Sequence, residues 1–227
     1  MILVNGDSYT FGDGLSAEEN PWPYIIFGSV CKNIAESGSS NLSIVRRSLE
    51  EIYLNRFDTL IVGWATLGRI EIGDQYGKAK TVLLTDGNSE YPKLVKHLAI
   101  NFNEFWYFKQ FLILLSTLSL HCQKLGVQFF CFNASNDTAK CYDGHQYSNY
   151  HAFHKICNLD QYPDSEIQRE FAFITKLKEE TNKCWILPPN ECIKQFYQNN
   201  TISITDDHPN QIGHTLIAQG LGSLLKF

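Results

Sequence analysis

The chain has 227 residues, 44% of them hydrophobic and 19% charged, a length that suits one sizeable α/β core and a composition that excludes a disordered protein. Its formal charge of −5 is offset by no basic cluster denser than the pair Arg46-Arg47, which argues against nucleic acid as a partner. Seven cysteines lie scattered without a Cys-x-x-Cys, no basic segment in residues 1–20 marks a signal peptide, and the most apolar stretch, 111–120, is well short of the ~20 residues needed to span a bilayer. The expectation is a single cytoplasmic domain over residues 1–227, with reduced thiols and no membrane partner.

The first element is the apolar run Ile2-Leu3-Val4, which suits a strand buried on both faces, and the Asn5-Gly6-Asp7-Ser8 that follows lets the backbone turn sharply at the strand's carboxyl end. Asn20-Pro21-Trp22-Pro23 opens a short helical stretch to Phe27, and residues 29–35 read as a second strand ending at the loop around Gly38. Asn41 can cap a helix that runs to about Asn55, its Leu42, Val45, Leu49 and Ile52 recurring near helical spacing, and residues 58–64 form the third strand.

Glycines at 73, 77 and 87 break up residues 66–92, which read as an excursion carrying a hairpin. A helix or helix pair fills residues 92–125 and stops at Gly126, after which 127–132 is a fourth strand rich in β-formers. Residues 133–162 make a second, polar and aromatic excursion. A helix over 166–180, a fifth strand at 184–187, a short helix at 191–198 and a closing helix at 211–225 complete the chain. This alternation predicts a three-layer α/β/α sandwich, a five-stranded parallel sheet covered on both faces by helices with right-handed crossovers.

Open parallel sheets bind ligands beyond the carboxyl ends of their strands, where the first turn places Ser8. Serines in turns are common and inert without a base, but the far end of the chain reads Thr205-Asp206-Asp207-His208-Pro209, acids beside a histidine that a proline holds in an extended turn. Serine first, acid and histidine last are the material of a catalytic triad. Asp206 is preferred to Asp207 as the orienting acid, since the residue adjacent to the histidine points its side chain elsewhere.

These residues resemble the blocks of the GDSL, or SGNH, hydrolase superfamily of serine esterases. Gly6-Asp7-Ser8 is similar to the first block, Asp206-Asp207-His208-Pro209 with Gly213-His214 to the last, and residues 33–41, around Gly38, to the second, in which a glycine amide helps bind the oxyanion. The resemblance implies a flavodoxin-like α/β/α fold, a Ser8 nucleophile, an oxyanion hole from the Ser8 and Gly38 amides, and no metal or organic cofactor. The third block departs from the pattern: where the family carries Gly-x-Asn-Asp, this chain has Gly63-Trp64-Ala65-Thr66, and Ala65 brings no side-chain donor. The Thr66 hydroxyl, the Asn41 amide or a water could stand in, or the hole has only its two backbone amides.

Asp7, Trp64 and Thr66 are the expected substrate-facing groups, Trp64 as a wall of the acyl or sugar pocket. Cys141, His145, His151, His154 and Cys157 include metal-ligand types, but their spacing fits no compact closed site, and none is assigned. The aromatic run from Phe102 to Phe111 has helical spacing and reads as core. The leading function is hydrolysis of short acyl esters, acetyl first, of a carbohydrate or another small alcohol. The altered third block keeps two alternatives open, a non-catalytic binding module for a glycan or protein and an O-acyltransferase.

Overall fold

The computed structural model describes residues 1–73, 79–84, 91–100, 104–135 and 163–225. Four strands, β1 (Ile2–Asn5), β2 (Cys31–Asn33), β3 (Thr59–Trp64) and β6 (Gln128–Asn133), form a parallel sheet in the order β2-β1-β3-β6. Ile2 stands opposite both Cys31 and Thr59, and Thr59 opposite Gln128, so the carboxyl ends of the four strands share one edge. An antiparallel pair, β4 (Arg69–Gly73) with β5 (Ala79–Leu83), forms the hairpin expected within residues 66–92.

The two-residue period of the strands sorts the core into two layers. Leu3, Leu60, Val62, Trp64, Phe129 and Cys131 face α3 (Asn41–Leu54), α5 (Glu104–Leu125) and α6 (Asp164–Thr181), in one apolar cluster with Ile44, Phe111 and Ile174. Val4, Ile61 and Phe132 face the other way, packing with Trp22 of α2 (Trp22–Phe27), Tyr197 of α7 (Lys194–Tyr197) and Ile217 and Leu221 of α8 (Gln211–Leu224). The result is the expected three-layer sandwich. The helical stretch before β6 is a pair, α4 (Pro92–Ile100) and α5, and among the described residues no helix is long and apolar enough to cross a membrane.

The sheet is one strand narrower than the sequence predicts. The fifth position is held by two isolated parallel bridges, Trp185 with Cys131 and Cys192 with Asn133, sealed by hydrogen bonds from Ile186 N–H to Cys131 C=O (2.8 Å) and from Ile193 N–H to Asn133 C=O (3.1 Å). Pro188 and Pro189 fall between them, and with no N–H to donate they interrupt the ladder. The second strand is also shorter than residues 29–35, because Gly28–Val30 winds into a 3-10 turn before it.

Candidate active site

Three chain segments converge at the carboxyl edge of the sheet. The first is the turn after β1. Asp7 caps the four-residue helix α1 (Ser8–Phe11), its Oδ1 accepting the Tyr9 N–H at 3.2 Å. Gly6 allows this turn to sit against β3: a Cβ there would lie 2.5 Å from Thr10 Oγ1 and 3.1 Å from the Gly63 carbonyl. Ser8 is therefore fixed and only 2% exposed, and its Oγ has no hydrogen-bond partner among the described residues.

The second segment carries His208. Its Nδ1 lies 2.6 Å from Asp206 Oδ1, and the same oxygen accepts the His208 backbone N–H at 3.1 Å. The loop is held by Ile202 N–H to His208 C=O (2.9 Å) and by Asn210, which caps α8 and donates to the Thr201 carbonyl. The His208 ring packs on Tyr9, centroids 5.0 Å apart, which brings it beside the residue that follows Ser8. Bonds from His208 hold the Asp206 carboxyl below the usual carboxylate range. Asp207 pairs with Lys194, 3.4 Å from its Nζ, while its carboxylate stays within 4.8 Å of the Asp206 carboxylate and the His208 ring without bonding the imidazole.

His208 Nε2 is buried and, like Ser8 Oγ, makes no hydrogen bond among the described residues. A general base must reach its nucleophile, but such bonds are often long until substrate binds. His214 takes no part: fully buried, it accepts the Trp22 N–H on Nδ1 at 3.3 Å, and burial lowers its pKa to about 4.

The third segment is the loop from β2 to α3. Gly38 adopts φ +76°, a left-handed turn that favours glycine, and neither its N–H nor that of Ser8 has an internal acceptor among the described residues. The two amides named from the sequence are thus open. The other third-block substitutes differ. Asn41 is committed to the backbone of Ala65, donating to its C=O at 3.1 Å and accepting its N–H at 2.9 Å. The Thr66 hydroxyl accepts the Gly68 N–H at 3.4 Å.

Two expected substrate-facing groups are corrected. Trp64 is 0% exposed and edge-on to Phe111 at 5.3 Å, a core residue and not a pocket wall, since it shares the inward parity of Leu60 and Val62 on β3. Asp7, 1% exposed, is spent on an ion pair, its Oδ2 2.9 Å from Arg69 Nη1. Burial pushes the Asp7 pKa up to about 6 against the opposing pull of Arg69. Arg69 itself escaped the sequence reading, where the one signal was a basic residue placed soon after the third strand. Cys141, His145, His151, His154, Cys157 and the excursion beyond Ser135 lie outside the described residues.

No protein-family model and no curated protein sequence matches the chain. Solved structures do. TesA superposes with a TM-score of 0.55 at 11% identity, covering 99% of this chain and 97% of that one. A putative lipolytic protein of the G-D-S-L family from Desulfitobacterium hafniense DCB-2 gives 0.54 at 11% identity, covering 99% and 98%. The acetyl xylan esterase AlAXEase gives 0.51 at 13% identity over the full length of both chains. With its parallel sheet, its Gly-Asp-Ser turn at the strand edge and these superpositions, the chain has the fold of the GDSL, or SGNH, hydrolases.

Proposed function

We propose that the chain is a single-domain serine esterase that removes short acyl groups, acetyl foremost, from a carbohydrate or another small alcohol. The observation that carries this reading is the His208 imidazole, bonded to Asp206 through Nδ1 and packed on Tyr9, the residue after a Ser8 whose hydroxyl has no hydrogen-bond partner among the described residues. Ser8 Oγ attacks the ester carbonyl as its proton passes to His208 Nε2, and the amides of Ser8 and Gly38 receive the oxyanion. Collapse expels the alcohol, which takes the proton from His208. Water, deprotonated by the same nitrogen, then attacks the acyl-serine and releases the acid.

One further observation supports a short acyl group: an acetyl xylan esterase is among the proteins that share the fold. The five cysteines among the described residues are buried and form no disulfide with one another, which suits work in a reducing compartment. Nitrophenyl esters from acetyl to decanoyl test the reading: kcat/KM should be highest at the short end and vanish in Ser8→Ala, whereas a rate that climbs with chain length contradicts the acyl assignment.

Ala65 in place of the family's asparagine favours a second reading, a binding module with the chemistry lost. Absence of turnover on every ester, together with binding of an acetylated oligosaccharide, would select it.

A further inference from the structure

If Ser8 is the nucleophile, an ester oxyanion forming on it has two backbone amides open among the described residues and lacks the third-block asparagine, because Ala65 has no side-chain donor and the Asn41 amide is oriented by two bonds to the Ala65 backbone. The Arg69 guanidinium reaches both loops that supply those amides. Arg69 Nη1 lies 2.9 Å from Asp7 Oδ2, in the residue before Ser8, and 3.5 Å from the Ser39 carbonyl, in the residue after Gly38. The start of β4 holds it there, with the Arg69 N–H on the Thr66 carbonyl at 3.4 Å and Arg69 paired with Leu83 across the hairpin.

Both recorded bonds use Nη1. Among the described residues Nη2 and Nε make none, and the side chain keeps 15% exposure at the rim of a recess of about 200 Å³. A guanidinium anchored through one nitrogen presents the rest of its fork in a fixed plane. The neighbouring Arg47 is placed differently: it pairs with Glu36 at 2.5 Å, and its Nη2 donates to the Ser39 hydroxyl at 2.6 Å and to Asn5 Oδ1 at 3.5 Å, with no bond to Asp7.

We propose that Arg69 is a further catalytic residue, whose free guanidinium N–H groups complete the oxyanion hole in place of the missing asparagine, with Asp7 as its anchor. The proposal rests on the serine-esterase reading above. A full positive charge favours the anionic tetrahedral intermediate over the neutral ester, so its contribution falls on kcat and not on KM.

The experiment compares wild type, Arg69→Met and Arg69→Lys for nitrophenyl acetate kinetics, active sites counted with a fluorophosphonate, and inhibition by a trifluoromethyl ketone, which binds serine esterases as an anionic hemiketal. Arg69→Met should lose about 100-fold in kcat, the usual cost of one oxyanion donor, with KM within about threefold, and the inhibitor should weaken in step with kcat/KM. Arg69→Lys keeps a partner for Asp7 and should melt close to wild type, yet lose about tenfold in kcat because its point charge cannot reproduce the fork. If Arg69→Met does not fold, Arg69→Lys decides. Folded variants with kcat within threefold of wild type, or inhibitor binding unchanged, overturn the proposal and leave the esterase reading intact. Failure of the probe to label Ser8 in wild type overturns both.

Discussion

Asp206 Oδ1 accepts both the Nδ1 and the backbone N–H of His208, at 2.6 Å and 3.1 Å, so one carboxylate oxygen fixes the imidazole's orientation and its tautomer. Asp207, next in sequence, serves Lys194. Asp206→Asn should therefore lower kcat by about 100- to 10,000-fold, the range for losing an oriented general base, and Asp207→Asn by less than about threefold. Steady-state kinetics on nitrophenyl acetate check this, and the reverse order would move the acid to Asp207.

Ser8→Ala should abolish turnover without loss of stability. The Ser8 Oγ is buried and has no hydrogen-bond partner among the described residues, so removing it relieves an unsatisfied polar atom. The melting temperature should stay level or rise slightly. A drop of several degrees would mean that the hydroxyl holds the turn together.

Trp64→Ala should act on stability and not on substrate choice. A fully buried indole against Phe111 leaves a cavity when truncated, at a cost of about 3–5 kcal/mol. Urea unfolding measures the loss, and the ratio of acetyl to butyryl ester turnover in the folded variant should remain that of the wild type.

The pH dependence of stability carries two opposed contributions. Unfolded His214 takes up a proton near pH 6.5 but the folded chain only near pH 4, so its stabilising effect is complete above 6.5 and is lost as pH falls toward 4. Asp7 works the other way: protonating near pH 6 folded and 3.8 unfolded, it destabilises above pH 6 and that burden lifts as pH falls. The two nearly offset between pH 4 and 6. His214→Gln removes one of them, so its stability deficit relative to wild type should shrink by about 3 kcal/mol between pH 7 and pH 4. A deficit that stays constant in urea titrations across that range would contradict a neutral, buried His214.

Much of this architecture is local in origin and so visible in the sequence. The Gly6-Asp7-Ser8 turn, the His208-Pro209 loop and the strand-helix alternation each depend on residues close together in the chain. The apolar run at 184–187 reads as a strand, whereas Pro188 and Pro189, which cannot donate to a ladder, limit it to isolated bridges. Trp64 stands at even spacing from Leu60 and Val62, a parity that puts it on the same face of β3 as those two core residues. The pairing of Asp7 with Arg69 had no such signal, because 62 residues separate them and the hairpin that delivers Arg69 packs through tertiary contacts alone.

The proposed chemistry turns on the nucleophilicity of Ser8. Incubation with a fluorophosphonate probe followed by peptide mass spectrometry reads it directly, since covalent capture needs an activated hydroxyl and an oxyanion site. Labelling at Ser8, absent in Ser8→Ala and slowed about 100-fold or more in His208→Ala, is the predicted result. A wild-type chain that stays unlabelled, or labels at the same rate without His208, would contradict it.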